Sequence, residues 1–492
     1  MKQKLIYLSL ISFLFVLVSF TPARGKPTTA QAIYEQGEQL RMQEKYQEAV
    51  DCFDKVLAQD SSNILAWIEK GRILLNLKLW DKAILAFNAA LQRDKNCIYA
   101  MACKARALKE LGKKQASDIL LERALSIKPK DYDCFSYLGR GEVYHVLEKY
   151  DLAIKDYTVA LKLNSKNIDI YLYRGVAYRE KNKFDLAIAD FNTALAINPK
   201  NVLVYGNRGL TYFMQNKLEL ALADCNTILK INSHFLGAYI TRGGVYATQG
   251  KYDRALADYA TALKVNARND PFNADIYYCR GCLYTMQGKY NIAIVDFTNV
   301  LKIKPHYASA YCYRGMAYGS LNKYDLALAD FDTALELDPQ NEEAYGHRGL
   351  IYDMQKKYDL AIADYTAVLK LNAQDTVVYV ERGVDYGRQG QYDLAIADFN
   401  AALKIDSKNV KAYWGRGTVY NKQGKYDLAL ADYTYAIQFD SHYAPAYLQR
   451  GIMHLKKRDY KSARKDWAKV VDLDPTGPLG EEATEYLQVW RD

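Results

Sequence analysis

The amino-acid sequence predicts an all-α fold in which antiparallel helix pairs stack in chain order. The first observation behind this prediction is a column of small residues that recurs every 34 residues, and such repetition is typical of stacked supersecondary units. The spacing widens to 36 between Ala105 and Gly141, and to 38 between Gly243 and Gly281, where the segment 270–273 favours a turn. The column consists of Gly37, Gly71, Ala105, Gly141, Gly175, Gly209, Gly243, Gly281, Gly315, Gly349, Gly383, Gly417 and Gly451.

Aromatic and alanine residues occupy fixed positions around this column. In the unit around Gly315, Tyr311 lies four residues before the glycine and Tyr318 lies three residues after it. Ala327 and Phe331 follow twelve and sixteen residues after the glycine. Offsets of 3, 4 and 7 residues place side chains on one face of a helix. Each unit is therefore predicted to contain two amphipathic helices.

The predicted turn between the two helices carries a glycine in several units. The sequence QGKY places Gly250, Gly288 and Gly424 directly after a predicted helix, where a left-handed residue can cap the helix end. Inside the first helix, the column glycine costs about 1 kcal/mol relative to alanine. We therefore expect this glycine to face the alanine of the second helix, so that the two backbones approach closely.

The N-terminus has the layout of a secretory signal. A basic stretch precedes an uninterrupted apolar run from Leu5 to Phe20, and Ala23 is small enough for signal cleavage. The run is shorter than the roughly 20 residues that a helix needs to span a bilayer. We predict export to a periplasmic or extracellular location, with the apolar run as a membrane anchor if it is not cleaved. The predicted segments are a signal peptide or N-terminal anchor at 1–23 and a short linker at 24–29.

The repeated units fill residues 30–477, and a different pattern follows them. Ala483, Leu487 and Trp490 recur at helical spacing after the last unit. Because the end of a repeat array needs a covering element, we predict a C-terminal capping helix in residues 478–492.

These residues closely resemble the tetratricopeptide repeat (TPR) family, whose unit has small residues at both columns and aromatic residues around them. The segment from Tyr311 to Pro339 is a near-consensus example, and the resemblance covers residues 30–477. It implies about thirteen tandem repeats that form a right-handed superhelical solenoid. The departures from the pattern are Leu40 and Leu74 in place of tyrosine, Ala105 in place of glycine and Ser117 in place of alanine.

A second stripe of the first helices shares another helical face. In TPR proteins this stripe lines the concave groove, and here it is largely apolar or small, which suits an apolar helix or an extended peptide of a partner protein. The alternative is that tight curvature buries the stripe against neighbouring repeats. The Lys and Asn clamp with which chaperone-binding members hold a C-terminal carboxylate is not apparent. The candidate groove residues are Leu203, Leu210, Phe213, Ile240, Tyr278, Cys282, Met316, Leu350, Val380, Val384 and Trp414.

Charged residues form two further columns. Ten units carry an arginine directly before the glycine, such as Arg348, and an aspartate sixteen residues after the arginine, such as Asp364. This fixed spacing predicts an ion pair within or between hairpins, worth about 0.2–1 kcal/mol if exposed. A ladder of arginines that binds phosphates is the alternative, and the acid near each arginine argues against it.

Cysteines and histidines form no recognisable site in the sequence. Cys279 and Cys282 form a CxxC pair within a helix, with Cys312 one repeat and His347 two repeats further on. Zinc sites normally need four converging ligands, so we expect no metal here and consider a disulfide the alternative. HExxH, GxSxG and GxGxxG motifs are absent from the sequence. We therefore expect no enzyme activity and no cofactor.

The sequence thus predicts an exported scaffold that binds a protein or peptide through the groove, in envelope assembly or a multiprotein complex. Its net charge of +9 comes from interspersed charges, which indicates a solvated surface. The alternatives are an RNA-binding helical-repeat protein and a non-catalytic subunit of an envelope enzyme. Readers of single RNA bases need polar side chains at fixed positions, so we expect no nucleic-acid partner.

Overall fold

Every regular element that the structure describes is an α-helix, as the sequence predicts, and the described residues contain no strand. The predicted signal or anchor and nearly all of the predicted linker lie outside the described residues. The chain divides into two compact units, Met1–Leu283 and Tyr284–Asp492. The computed structural model describes residues 29–42, 45–130, 133–266 and 272–490.

The first unit alternates between helices that carry the glycine column and helices that carry the alanine column. Its helices are α1 (Thr29–Met42), α2 (Tyr46–Gln59), α3 (Ile64–Asn76), α4 (Trp80–Arg93), α5 (Ile98–Glu110), α6 (Lys114–Ser126), α7 (Cys134–Val146), α8 (Tyr150–Leu163), α9 (Ile168–Glu180), α10 (Phe184–Ile197), α11 (Val202–Met214), α12 (Leu218–Ile231), α13 (Leu236–Thr248) and α14 (Tyr252–Val265). Odd-numbered helices are the first helices of the repeats and even-numbered helices are the second.

The second unit continues this alternation and ends with one additional helix. Helix α15 (Phe272–Met286) contains the boundary between the units. The helices that follow are α16 (Tyr290–Ile303), α17 (Ala308–Ser320), α18 (Tyr324–Leu337), α19 (Glu342–Met354), α20 (Tyr358–Leu371), α21 (Thr376–Arg388), α22 (Tyr392–Ile405), α23 (Val410–Lys422), α24 (Tyr426–Phe439), α25 (Ala444–Lys456), α26 (Tyr460–Leu473) and α27 (Pro478–Val489).

Short polar segments determine where the helices begin and end. Gly424 has a φ of +74° between α23 and α24, and Gly250 has a φ of +72° between α13 and α14. The predicted left-handed glycine caps are therefore confirmed. At the start of α21, the side chain of Asp375 accepts hydrogen bonds from the backbone N–H groups of Val377 and Val378, at 3.0 and 3.2 Å. This N-cap satisfies donors that have no partner inside the helix.

The column glycine makes room for an aromatic ring of the paired helix. A Cβ atom at Gly175 would lie 2.5 Å from Cε1 of Phe191. At Gly209, where Cys225 replaces the aromatic residue, the nearest atom is instead Cβ of Asp224, at 3.2 Å. The sequence prediction assigned this space to the alanine of the second helix, whereas the structure assigns most of it to the ring, because the ring is long enough to reach the first helix.

Helix α27 packs against the end of the repeat array. Ala483 is fully buried in a cluster that includes Trp467, and Tyr486 stacks on Trp467 with ring centroids 4.8 Å apart. Trp490, which the sequence pattern places on the same face, is 39% exposed and stacks on Tyr460 at 5.9 Å. Leu487, also predicted for this face, packs against the same cluster. The covering contact therefore comes from Ala483, Tyr486 and Leu487, and the stacked rings add to it.

Candidate partner-binding surface

Pairs of arginine and aspartate connect the two helices of a repeat. Arg348 donates from Nε and Nη2 to the two carboxylate oxygens of Asp364, at 2.8 and 2.6 Å. Its Nη1 donates to Asp332 of the preceding repeat, at 2.6 Å, and its guanidinium lies 5.6 and 5.9 Å from the rings of Tyr345 and Tyr352. The predicted ion pair is confirmed, within the hairpin. The corresponding pairs are Arg140–Asp156, Arg174–Asp190, Arg208–Asp224, Arg242–Asp258, Arg314–Asp330, Arg382–Asp398, Arg416–Asp432 and Arg450–Asp466.

The aspartates of these pairs are buried. The loss of one partner therefore costs more free energy than it does in an exposed pair. Burial raises the pKa of Asp190, Asp224 and Asp432, and the hydrogen bond to Asp364 raises the pKa of Arg348. Removing one partner of a buried pair costs about 3–5 kcal/mol, because it leaves a charge buried and unpaired. All three donating groups of Arg348 have protein acceptors, so the alternative of a phosphate-binding ladder gains no support.

The first unit buries its share of the candidate groove residues. Leu210 and Phe213 of α11 are 0% exposed, and both belong to the hydrophobic core of the unit. A side chain without accessible area offers no surface to a partner, so the assignment of these residues to an open groove is corrected. Burial within the array, the alternative considered from the sequence, describes them better. The six buried residues are Leu203, Leu210, Phe213, Ile240, Tyr278 and Cys282.

The second unit leaves its share of the stripe more accessible. Leu350 is 42% exposed and Val377 is 62% exposed. Met354, which is not among the predicted groove residues, is 51% exposed one helical turn after Leu350. Val380 is buried. We define the first-helix surface by Met316, Leu350, Met354, Val377, Val384 and Trp414, of which Met316, Val384 and Trp414 are half-buried.

A buried charge cluster lies on the first helices of the first two repeats. Nη1 of Arg72 donates to Glu69 at 2.5 Å. Nε of Arg41 donates to Glu38 at 3.2 Å and lies 3.4 Å from Glu69. Burial raises the pKa of Glu69 to about 7. Sequence reasoning missed this cluster, although Glu38, Arg41 and Arg72 stand at the same offsets from the glycine as the apolar stripe of later repeats.

A second charged group lies on the first helices of the second unit. Arg388 forms ion pairs with Asp353 and Asp385, the latter at 3.0 Å. Asp385 is 1% exposed. Burial, followed by the contact with the Asp353 carboxyl, raises the pKa of Asp385 to about 7. Asp353 and Asp385 therefore share one cation, in a position where both could be ionised only at a cost in free energy.

A cavity of about 190 Å³ lies in the first unit. Its lining includes Arg106 and Lys109 of α5, Glu142 and His145 of α7, and Glu180 of α9. Burial lowers the pKa of His145 to about 3, so that its imidazole is neutral near pH 7. The lining combines both signs of charge with a neutral imidazole.

Helices α15 and α17 carry buried cysteines. Cys279, Cys282 and Cys312 are buried, and burial raises the pKa of Cys312. Among the described residues, no group of three or more His, Cys, Asp or Glu side chains could hold a metal ion. No helix in the described part of the chain has both the length and the apolar character needed to cross a membrane.

Known protein families match this chain at many positions. Matches to the tetratricopeptide repeat and TPR repeat descriptions together cover more than half of the chain. The matched segments are 34–96, 101–131, 141–179, 175–216, 236–269, 274–307, 308–341, 342–375 and 383–424.

Individual relatives match the chain less completely. A TPR repeat-containing protein of Methanocaldococcus jannaschii is 30% identical over 125 residues, which are 25% of this chain and 22% of that protein. The chain therefore spans about a fifth of the length of this relative.

Solved structures also align with the chain. The Cut9–Hcn1 hetero-tetramer of the APC/C aligns over 95% of this chain and 97% of its own, with 17% identity and a TM-score of 0.45. A tetratricopeptide repeat protein from Parabacteroides merdae aligns over 52% of this chain and 99% of its own, with 23% identity and a TM-score of 0.42. YrrB, a TPR protein described as having an unusual peptide-binding site, aligns over 38% of this chain and 97% of its own, with 23% identity and a TM-score of 0.33.

Proposed function

The chain belongs to the tetratricopeptide repeat family, and from this premise we propose that it is an exported scaffold that binds a partner protein through the first-helix surface of its second unit. TPR proteins are generally protein-interaction scaffolds rather than enzymes. The scaffold would act in envelope assembly or in another multiprotein complex. This proposal moves the binding surface from the whole stripe of first helices to repeats of the second unit.

The accessibility of apolar side chains supports this choice of surface. Leu350, Met354 and Val377 expose between 42% and 62% of their area. In the first unit, Leu210 at the position of Leu350 is 0% exposed and Leu203 at the position of Val377 is 1% exposed. Apolar area removed from water contributes about 25 cal/mol per Å² to binding before the costs of association. A partner helix or extended segment could therefore gain binding energy on the second unit.

Export rests on the N-terminal sequence. The apolar run from Leu5 to Phe20 and the small residue Ala23 support secretion. Fractionation of native cells, with mass spectrometry of the mature N-terminus, tests this part. A mature chain that begins after Ala23 and accumulates outside the cytoplasm would agree with the proposal. An uncleaved chain in the cytoplasm would contradict it.

Photo-crosslinking tests the binding surface in the native compartment. A crosslinker at Val377 should capture the same partner chain in repeated experiments, and Leu350→Asp should reduce that capture at least about tenfold, because a charge replaces an apolar contact. Leu394→Asp is the matched control, since Leu394 of α22 is 49% exposed but lies on a second helix. Equal loss of capture in both variants, or unchanged capture in Leu350→Asp, would refute the proposed surface.

A further inference from the structure

The last residue of the first helices changes from apolar to basic along the second unit. The last residue of α19 is Met354, whereas the last residues of α21, α23 and α25 are Arg388, Lys422 and Lys456. All four side chains are exposed. One helical turn earlier, at i−4, the corresponding residues are Leu350, Val384, Thr418 and Ile452. The stripe is therefore mostly apolar one turn before the helix ends, where Leu350 is exposed and the other three residues are half-buried, and it is basic at the ends from α21 onward.

Among the described residues, acidic side chains neutralise one of these three cations, Arg388. Arg388 forms ion pairs with Asp353 and Asp385. The positive charge of Arg388 is therefore already balanced by carboxylates of this chain. A further acid from a partner would have to compete with both carboxylates.

Lys422 and Lys456 have neutral acceptors instead. Nζ of Lys422 donates to the backbone carbonyl of Gly387 at 3.3 Å. Nζ of Lys456 donates to the side-chain oxygen of Asn421 at 2.9 Å and lies 4.6 Å from the ring centroid of Tyr426. Within the part of the chain that the structure describes, neither lysine forms an ion pair. Their positive charges are therefore available to an acid that arrives from outside.

Apolar side chains lie on the same helix faces as these lysines. Trp414 precedes Lys422 by two helical turns on α23 and is half-buried, and Ile452 precedes Lys456 by one turn on α25. The helix dipole favours cations at these C-terminal positions, which explains their stability there. It does not bring an acid to them.

We propose that the partner segment is an apolar helix or strand with acidic side chains along one edge, which form ion pairs with Lys422 and Lys456. This inference rests on the proposed function and names the chemistry of its partner. The apolar edge of the segment packs on Leu350, Val384 and Trp414. The acidic edge fixes its register, because charge complementarity steers encounter and orientation more than it adds affinity.

A nucleic acid is the other partner that unpaired lysines could attract. Phosphate-tracking grooves use a continuous line of cations together with stacked aromatic rings. Here the line of cations begins only at α21, and Leu350, Met354 and Val377 beside it are exposed aliphatic side chains. The observations therefore favour an acidic and apolar protein segment.

Peptide binding to the purified full chain tests this proposal by fluorescence anisotropy. The probes are three helical peptides with one leucine stripe and with Glu, Gln or Lys at the flanking positions, and a single-stranded oligouridine. We expect the Glu peptide to bind about fivefold more tightly than the Gln peptide at low salt, since two exposed ion pairs contribute little each. This preference should decrease as salt is added.

Charge reversal provides the decisive variant. Lys422→Glu combined with Lys456→Glu should transfer the preference from the Glu peptide to the Lys peptide. Lys370→Glu combined with Lys404→Glu is the matched control, since both of these lysines are exposed on second helices of the same unit. The control should leave the preference unchanged, and circular dichroism should show equal helix content in all variants.

The remaining outcomes separate this inference from the proposed function. Equal affinity for the Glu and Gln peptides, with both lost in Leu350→Asp, would overturn the acidic partner and support the surface. Binding of no peptide would overturn both. Tighter binding of oligouridine than of the Glu peptide, unaffected by Leu350→Asp, would also overturn both.

Discussion

A Cβ atom at Gly349 would lie 2.9 Å from Cε1 of Tyr365, the aromatic residue of the paired helix α20. A Cβ atom at Gly346, three residues earlier in α19, would meet no atom within 4 Å. The two glycines share one helix but have opposite surroundings. Only the one in the repeated column is required by packing.

Substitutions at these two glycines should therefore change stability in opposite directions. Gly346→Ala should stabilise the second unit by up to about 1 kcal/mol, because alanine has the higher helix propensity. Gly349→Val should destabilise it by about 1–3 kcal/mol, because the added methyl groups displace a buried ring. Hydrogen exchange of the α19 amides measures both effects. Equal protection in the two variants would argue against the packing role of the column.

Removal of an arginine should show how much a buried ion pair contributes to the free energy of unfolding. Arg382→Met leaves Asp398 buried without its cation, and we expect a loss of about 3 kcal/mol in the free energy of unfolding. The additional substitution Asp398→Leu should recover most of the lost free energy of unfolding, because it removes the unpaired charge. Lys404→Met in α22 is the control, as an exposed cation on a neighbouring helix face. If Arg382→Met and Lys404→Met shift the urea midpoint equally, the pair is not a stabilising contact.

The shared cation of Asp353 and Asp385 predicts a pH dependence of stability. The pKa of Asp385 is raised from 3.8 to about 7 in the folded chain. Between these values the folded chain holds a proton that the unfolded chain has lost, so stability from this group falls as pH rises and levels off above about pH 7. Asp385→Asn should remove this decrease, as measured by urea unfolding at several pH values. A variant with the same pH profile as the natural chain would contradict the assignment.

Replacement of leucine by aspartate at the same position of the repeat should change stability by different amounts in the two units. Leu210→Asp places a carboxylate at a fully buried position, and the burial of an unpaired charge costs several kcal/mol. We expect local unfolding of α11 and its neighbours. Leu350→Asp should leave stability within about 0.5 kcal/mol of the natural chain, because the side chain is partly in water. Thermal denaturation followed by circular dichroism compares the two, and similar losses would show that Leu350 is structural.

Truncation after Gly477 should destabilise the last repeat. Without α27, Trp467 loses the stacked ring of Tyr486 and the contact with Ala483. We expect a red shift of tryptophan emission and reduced amide protection in α25 and α26, since a terminal repeat needs a covering element. Trp490→Ala in the full chain is the control, because that residue is 39% exposed. Unchanged protection after truncation would show that α27 is dispensable for folding.

Much of the repeat could be predicted from the sequence because its contacts occur at fixed spacing. The pairing of Arg348 with Asp364 depends only on two helices that meet once in each unit. The space beside the column glycine was harder to assign, since alanine and the aromatic residue both follow at helical spacing. The length of a side chain such as Phe191 decides which residue fills the space. The spacing of residues in the sequence does not show how far a side chain extends.

The sequence by itself determined the all-α fold, the pairing of helices and the ion pairs inside each hairpin, because local periodicity specifies contacts between neighbouring elements. Tertiary structure alone decided which residues of the stripe are accessible. Leu210 and Leu350 occupy the same position of the repeat, yet one is buried and the other is 42% exposed. Burial depends on the side chains that neighbouring repeats place around a residue. These side chains differ from repeat to repeat, and the position of a residue within its repeat does not specify them.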